Sequence, residues 1–408
     1  MVTVVASRRS GPRGERHPHC PRPRACRGSY RKVGKHVQYT PHTMQPDASG
    51  RPLPSPMGEG DQREFGEYAQ RLLADLSGAM VSVICGLGGK LGLFRALAEG
   101  PCTSAELAER TGLDERYVRE WLHCLASAGY LHADPDTGRF ELPSALVYLL
   151  ATESPLNLTG AHALVLALAD TVDTVADAMR SGTGVAPDAY SESLYQAMEQ
   201  MSASWLDFLL VAQFIPAVPG LVDRLAEGAR VADIGCGHGR ALIRLAQRFP
   251  RSEYVGVDSH PAVIARAAAA VRDAGVAERV TLLAADATKG LPGTFDLITM
   301  FNVLHDARDP ESVLRAVRAA LTSDGAVLLM ESRAADTPWD NKGPAATILY
   351  ATSLLFCLPS SRVGHRYGAG TLGMPAARIR DVAGAAGFGQ IREVPLQSPF
   401  NALYVLQP

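Results

Sequence analysis

Aromatic residues make up only 6% of this 408-residue chain, and no two of its seven cysteines stand in a C-x-x-C pair. Cys20, Cys26, Cys85, Cys102, Cys124, Cys236 and Cys357 are odd in number and scattered. That excludes a disulfide framework and points to reduced thiols in a cytoplasmic protein. His17, His19, Cys20 and Cys26 gather near the start, but their spacing matches no usual metal site, and none is expected. An apolar run of membrane-spanning length is also missing; that at 164–169 is short and flanked by His162 and Asp170. No apolar h-region follows the first arginines, so a secretory signal is not expected.

Net charge is nearly absent, at -2, but its distribution is uneven. Residues 1–43 hold ten Lys and Arg against one acid, Glu15, so the remainder is strongly acidic. An acidic body argues against nucleic-acid binding. Residues 1–60 are rich in Arg, Pro and Gly, and should be disordered because they cannot offset their ordering entropy by burial. A basic arm for nucleic acid or an acidic membrane, and an organellar transit peptide, are the functional readings of this segment. The plain reading is an unstructured extension, with Met44 and Met57 as later candidate starts.

What is present is concentrated in residues 230–258, RVADIGCGHGRALIRLAQRFPRSEYVGVD. A short apolar strand is followed by Gly235, Gly237 and Gly239, then by apolar residues at helical spacing up to Pro250. A second apolar strand ends in Asp258, nineteen residues after Gly239. Strand, glycine turn, helix, strand and acid form a nucleotide-binding unit: the glycines admit a ligand to the helix N-terminus and the acid meets ribose hydroxyls. No glycine completes the G-x-G-x-x-G spacing of dinucleotide folds, because Arg240 follows Gly239. DIGCGHG instead resembles the first motif of class I S-adenosylmethionine (SAM) methyltransferases. The resemblance implies that Asp233, Gly235, Gly237 and Gly239 face the methionine part of SAM and that Asp258 takes the ribose hydroxyls.

Upstream, residues 80–143 read as a winged helix-turn-helix. A first helix covers 89–97, Thr103 to Glu106 form a capping box for a second that Gly112 ends, and Asp114 caps a third that closes around Gly129. Residues 131–142, with a turn at 134–138, read as a hairpin wing. DNA binding is opposed by five acids against three arginines between Ser104 and Leu125. Small-molecule O-methyltransferases of bacteria and plants carry a similar module for dimerisation, which implies a homodimer here. Helices expected at 145–151, 158–180 and 192–215 bring Tyr190, Tyr195, Met198, Met201, Trp205 and Phe208, a wall suited to a small organic acceptor.

Downstream, strands at 280–285, 295–300 and 326–331, helices at 261–274, 310–321 and 376–386, and a closing pair at 391–396 and 403–406 complete the pattern. The fold class expected is α/β: a Rossmann-like, seven-stranded class I methyltransferase sheet with its last strand antiparallel, preceded by a helical region with a winged helix-turn-helix. Domains are expected at 1–60, 61–143, 144–228 and 229–408. The resemblance makes Asp286 and Ala287 the adenine contact and places Asn302 with the cofactor. VLHDARDP is similar to the plant-type segment whose histidine is the base, which implies His305 as base, Asp306 beside it and Glu331 as its orienting acid. Where that family has tryptophan after the His-Asp pair, this chain has Ala307, so local packing differs. The reading is a SAM-dependent methyltransferase acting on a hydroxyl of a small molecule. Its competitors are a winged-helix regulator whose methyltransferase-like domain only senses a ligand, and a protein or RNA methyltransferase.

Overall fold

The computed structural model describes residues 29–33, 36–40, 59–364 and 367–408, with side chains from residue 61 onward. Most of the basic arm, including His17, His19, Cys20 and Cys26, lies outside the described residues. Within it β1 (Ser29–Val33) and β2 (His36–Thr40) pair antiparallel with Tyr30 opposite Tyr39, where no regular element is expected. Tyrosine and valine in both segments supply the strand preference. The chain divides into two units, 1–74 and 75–408.

A 32-residue helix, Glu59–Lys90, crosses that division. It is far longer than the first helix expected from Gly89 onward. Gly92 in the left-handed region (φ 71) breaks the chain before Leu93–Leu97 resumes. The next two helices follow the local signals closely. Thr103 and Glu106 exchange both capping-box bonds ahead of Ser104–Thr111, and Asp114 accepts from Arg116 and Tyr117 ahead of Glu115–Ser127. The wing is β3 (His132–Asp134) paired with β4 (Arg139–Glu141). Leu107, Val118, Trp121, Leu122, Leu125 and Phe140 form its core. Trp121 also donates its indole N–H to the Ile84 carbonyl at 3.0 Å, fastening this core to the long helix.

The apolar stretch expected as one helix over 158–180 is two, Thr159–Ala169 and Val172–Ser181. They part at Thr171, whose hydroxyl is shared between the Leu168 and Leu355 carbonyls. Helix Glu192–Leu209 runs on into a π-turn, Leu210–Phe214, and ends where Pro216 stands.

The seven-stranded sheet contains β5 (Arg230–Ile234), β6 (Glu253–Asp258), β7 (Val280–Ala284), β8 (Phe295–Phe301), β9 (Leu321–Ser332), β10 (Gln390–Val394) and β11 (Asn401–Gln407). Their order is β10-β11-β9-β8-β5-β6-β7, and β11 runs antiparallel to both neighbours. The central strands β5, β6, β8 and β11 are buried almost throughout because both faces are covered. Alternate residues serve opposite cores: Leu297, Leu328, Leu403 and Val405 pack on one side, and Ile298, Leu329, Tyr404 and Leu406 on the other. Residues 322–325, between the expected helix 310–321 and strand 326–331, lie inside β9 as an irregularity opposite Phe295 and Leu297.

A helical stretch with no assignment from the sequence, Pro344–Ser361, follows β9. Asp61–Lys90 and Pro344–Ser361 are long and apolar enough to cross a bilayer by length and composition. This corrects the expectation that no stretch reaches that length: Asp75, Ser77 and Gly78 in the first, and Thr352, Ser353 and Pro359 in the second, interrupt the apolar run without lowering its mean hydropathy much.

Candidate functional site

The carboxyl ends of β5, β6, β7 and β8 form one edge of the sheet, and every cofactor residue expected from the sequence lies along it. Gly235, Gly237 and Gly239 adopt left-handed φ of 66, 53 and 77 degrees. A Cβ on Gly235 would fall 2.5 Å from Val303, whereas one on Gly237 would meet nothing within 4 Å. The turn is therefore closed beneath and open above. Asp258 Oδ2 accepts the Gly237 N–H at 3.2 Å, and Oδ1 accepts that of His260 at 3.0 Å. Asp233 lies deeper, with Thr299 Oγ1 donating to it at 2.6 Å. Burial, together with the charge of Asp258, pushes its pKa up to about 7 against the pull of Thr299.

Asp286, two residues beyond β7, caps the short turn Ala287–Lys289, accepting from the Thr288 amide and hydroxyl at 3.0 and 2.7 Å. Ala287 packs against the core beside it. Asn302 follows β8 at φ 57, the one non-glycine residue with positive φ among those described. Its Oδ1 is buried with no hydrogen-bond partner. An unsatisfied buried amide oxygen, an open glycine and a carboxylate at one strand edge fit a polar nucleotide ligand.

The left-handed turn at Asn302 carries residues 303–306 across the end of β9, where Glu331 is fully buried. Glu331 Oε1 accepts the Leu304 N–H at 2.7 Å, and Oε2 lies 2.5 Å from His305 Nδ1. On the other side of the ring, Asp306 Oδ1 is 3.5 Å from Nε2. Burial opposes a charged imidazole, but Asp306 and Glu331 outweigh it and hold the His305 pKa well above the ordinary histidine value. Cys357, from the helical stretch absent from the sequence reading, completes this corner; burial pushes its thiol up. No motif could have found it, since it is 52 residues from His305 in sequence.

A clamp also escaped the sequence reading. Arg240 and Arg244, one helical turn apart after the glycine turn, both grip Asp207 on helix Glu192–Leu209, at distances from 2.6 to 2.9 Å. Burial works against the Asp207 charge, but Arg244 and Arg240 keep its pKa low. Glu199 reaches Arg240 at 3.4 Å and His238 at 3.8 Å, and Arg266 pairs with Glu192. The helix is thus held against the glycine turn, and Trp205 lies edge-on to Phe301, 5.7 Å between centroids. Tyr190, Phe356 and Cys357 share an apolar cluster with Leu194 and Met198. The winged helix spends its arginines internally: Arg116 pairs with Glu120, Arg119 with Glu115 and Arg139 with Glu106.

Comparison with known proteins agrees with this geometry. Residues 232–327 match the family described as "Methyltransferase domain", and residues 79–151 match "Rv2258c-like winged HTH domain". Acetylserotonin O-methyltransferase of Mus musculus is 31% identical over 359 residues, 82% of this chain and 87% of that protein. The crystal structure of human N-acetylserotonin methyltransferase in complex with SAM superposes with a TM-score of 0.57 at 21% identity, covering 83% of this chain and 97% of its own. The mitomycin 7-O-methyltransferase MmcR gives 0.59 at 20% identity, covering 86% and 100%. SAM is the cofactor. With a cofactor turn, a buried histidine–carboxylate pair and a relative matched over most of both chains, this chain belongs to the class I SAM-dependent O-methyltransferases that carry an N-terminal winged helix.

Proposed function

We propose that this enzyme methylates a hydroxyl oxygen of a small, largely apolar organic molecule, with His305 as general base. The observation that carries this is the buried His305 Nδ1–Glu331 Oε2 contact at 2.5 Å, on the same sheet edge as the glycine turn. Asp233, the turn Gly235, Gly237 and Gly239, Asp258, Asn302 and the Asp286–Ala287 corner would hold SAM. When bound, SAM supplies a methyl group on a sulfonium, an already activated donor. The remaining work is the protein's own. Glu331 fixes the Nδ1–H tautomer and so leaves Nε2 to take the hydroxyl proton. Asp306 lies near enough to steady the resulting imidazolium. The clamped helix and the Tyr190–Phe356 cluster orient the acceptor and exclude water. The expected result is O-methylated product and S-adenosylhomocysteine in equal amounts from a panel of small hydroxylated aromatics, measured by mass spectrometry. Turnover confined to amines would sink this assignment.

The reading includes a cytoplasmic homodimer and the four-part domain division at 60, 143 and 228. The described cysteines are all unpaired, which supports a reducing setting. Leu76, Met80, Val83 and Leu87 recur at helical spacing on Glu59–Lys90 and are 36 to 66% exposed, an apolar stripe suited to a second copy. In Leu76→Glu/Met80→Glu, the mass by light scattering should halve while the melting temperature holds. A monomeric wild type, or wild type that floats with vesicles instead, would contradict the dimer.

A further inference from the structure

Cys357 has no part in the scheme above, yet it stands beside two residues that do. His305 Nε2, Asp306 Oδ1 and Cys357 Sγ lie within 4.8 Å of one another. His305 and Cys357 are 3% and 5% exposed, and Asp306 Oδ1 is buried without a hydrogen-bond partner although a third of that side chain is exposed. The opposite ring nitrogen of His305 is engaged by Glu331 at 2.5 Å. A carboxylate on one imidazole nitrogen is the usual companion of a cation on the other, because it fixes the tautomer and raises ligand basicity. One nitrogen, one sulfur and one oxygen form a donor set for Zn²⁺, whereas Mg²⁺ and Ca²⁺ take oxygen alone. Bonds of about 2.0–2.3 Å would set the three ligand atoms about 3.3–3.8 Å apart, a contraction of up to about 1.5 Å from the 4.8 Å limit.

We propose that His305, Asp306 and Cys357 form a three-ligand site for a zinc-type cation, and that the cation inhibits the enzyme reversibly. Binding releases the Cys357 thiol proton and, where His305 is charged, its Nε2 proton to solvent; the thiolate ligates, and the Nε2 lone pair needed for proton abstraction is occupied. The inhibition arm rests on the catalytic reading of His305; the binding arm does not.

The test uses full-length protein carrying Cys20→Ser/Cys26→Ser, which removes the two thiols near His17 and His19. Cobalt(II) is the optical probe and Zn²⁺ is titrated by calorimetry. The expected result is one ion per chain with a near-ultraviolet thiolate–cobalt band. Cys357→Ala and the near-isosteric Cys357→Ser should lose the band and weaken Zn²⁺ binding by about 100-fold, whereas Cys236→Ala should retain both. No band at all, or a band that survives Cys357→Ala, overturns the site. Where methyl transfer is measurable, Zn²⁺ should abolish it and a chelator should restore it. Zn²⁺ bound at this site without inhibition would overturn the inhibitory role and leave the site itself standing.

Discussion

His305→Ala is expected to lower kcat by about 10²–10⁴-fold, the range for loss of a positioned general base, with SAM affinity little changed. The reason is geometric. His305 is held by Glu331 at Nδ1, so truncation removes the proton acceptor without touching the glycine turn or Asp258. Only neutral histidine can take a proton, and Asp306 and Glu331 keep this one charged to higher pH than usual against the effect of burial. Activity should therefore rise with pH, with its acidic limb above the ordinary histidine pKa of about 6.5. Glu331→Gln removes one of the two carboxylates, so that limb should move to lower pH while the maximal rate falls. A merely structural role for Glu331 would lower the rate and leave the limb where it was. Single-turnover rates from pH 5 to 10 on wild type and both variants decide the matter. A wild-type rate independent of pH, together with an active His305→Ala, would remove the base from the mechanism.

Asp258→Ala should weaken SAM binding by roughly 10²–10⁴-fold, as expected for two charge-assisted hydrogen bonds of about 1.5–3 kcal/mol each. Asp258 ends β6 and already accepts the Gly237 and His260 amides, so it supports the turn in addition to its proposed role on the ribose. Asp258→Asn separates these roles. An amide oxygen can still accept from Gly237, but the charge is gone, so binding should fall less than in the alanine variant while apo-protein melting stays near wild type. Calorimetric titration with SAM and with S-adenosylhomocysteine measures both effects. An unchanged Kd in Asp258→Ala would place the ribose elsewhere.

The legible features of this chain were those encoded within a few residues. Thr103 and Glu106 meet because a capping box spans one turn, and Gly112 ends its helix because it alone adopts φ 68 without strain. The glycine turn between β5 and its helix was equally plain. Boundaries failed where a distant partner decided them. The expected helix over 158–180 splits at Thr171, whose hydroxyl also reaches Leu355, 184 residues away. Residues 322–325 stand inside β9 as an unpaired irregularity, held between the Leu321–Phe295 and Ala326–Leu297 pairs on either side.

The sequence by itself determined the strands of the seven-stranded sheet, the capped helices of the winged module, the glycine turn and the identity of His305 and Glu331 as partners, since these depend on short-range pattern and on a family resemblance. Tertiary structure alone decided that Glu331 faces Nδ1, that Asp207 is shared by Arg240 and Arg244, and that Cys357 stands beside Nε2. The first arises from the register of β9 on β8, the second from helix Glu192–Leu209 lying against the helix after the glycine turn, and the third from the burial of Phe356 and Cys357. Contacts of that kind are set by which buried surfaces fit together, and no local spacing records them.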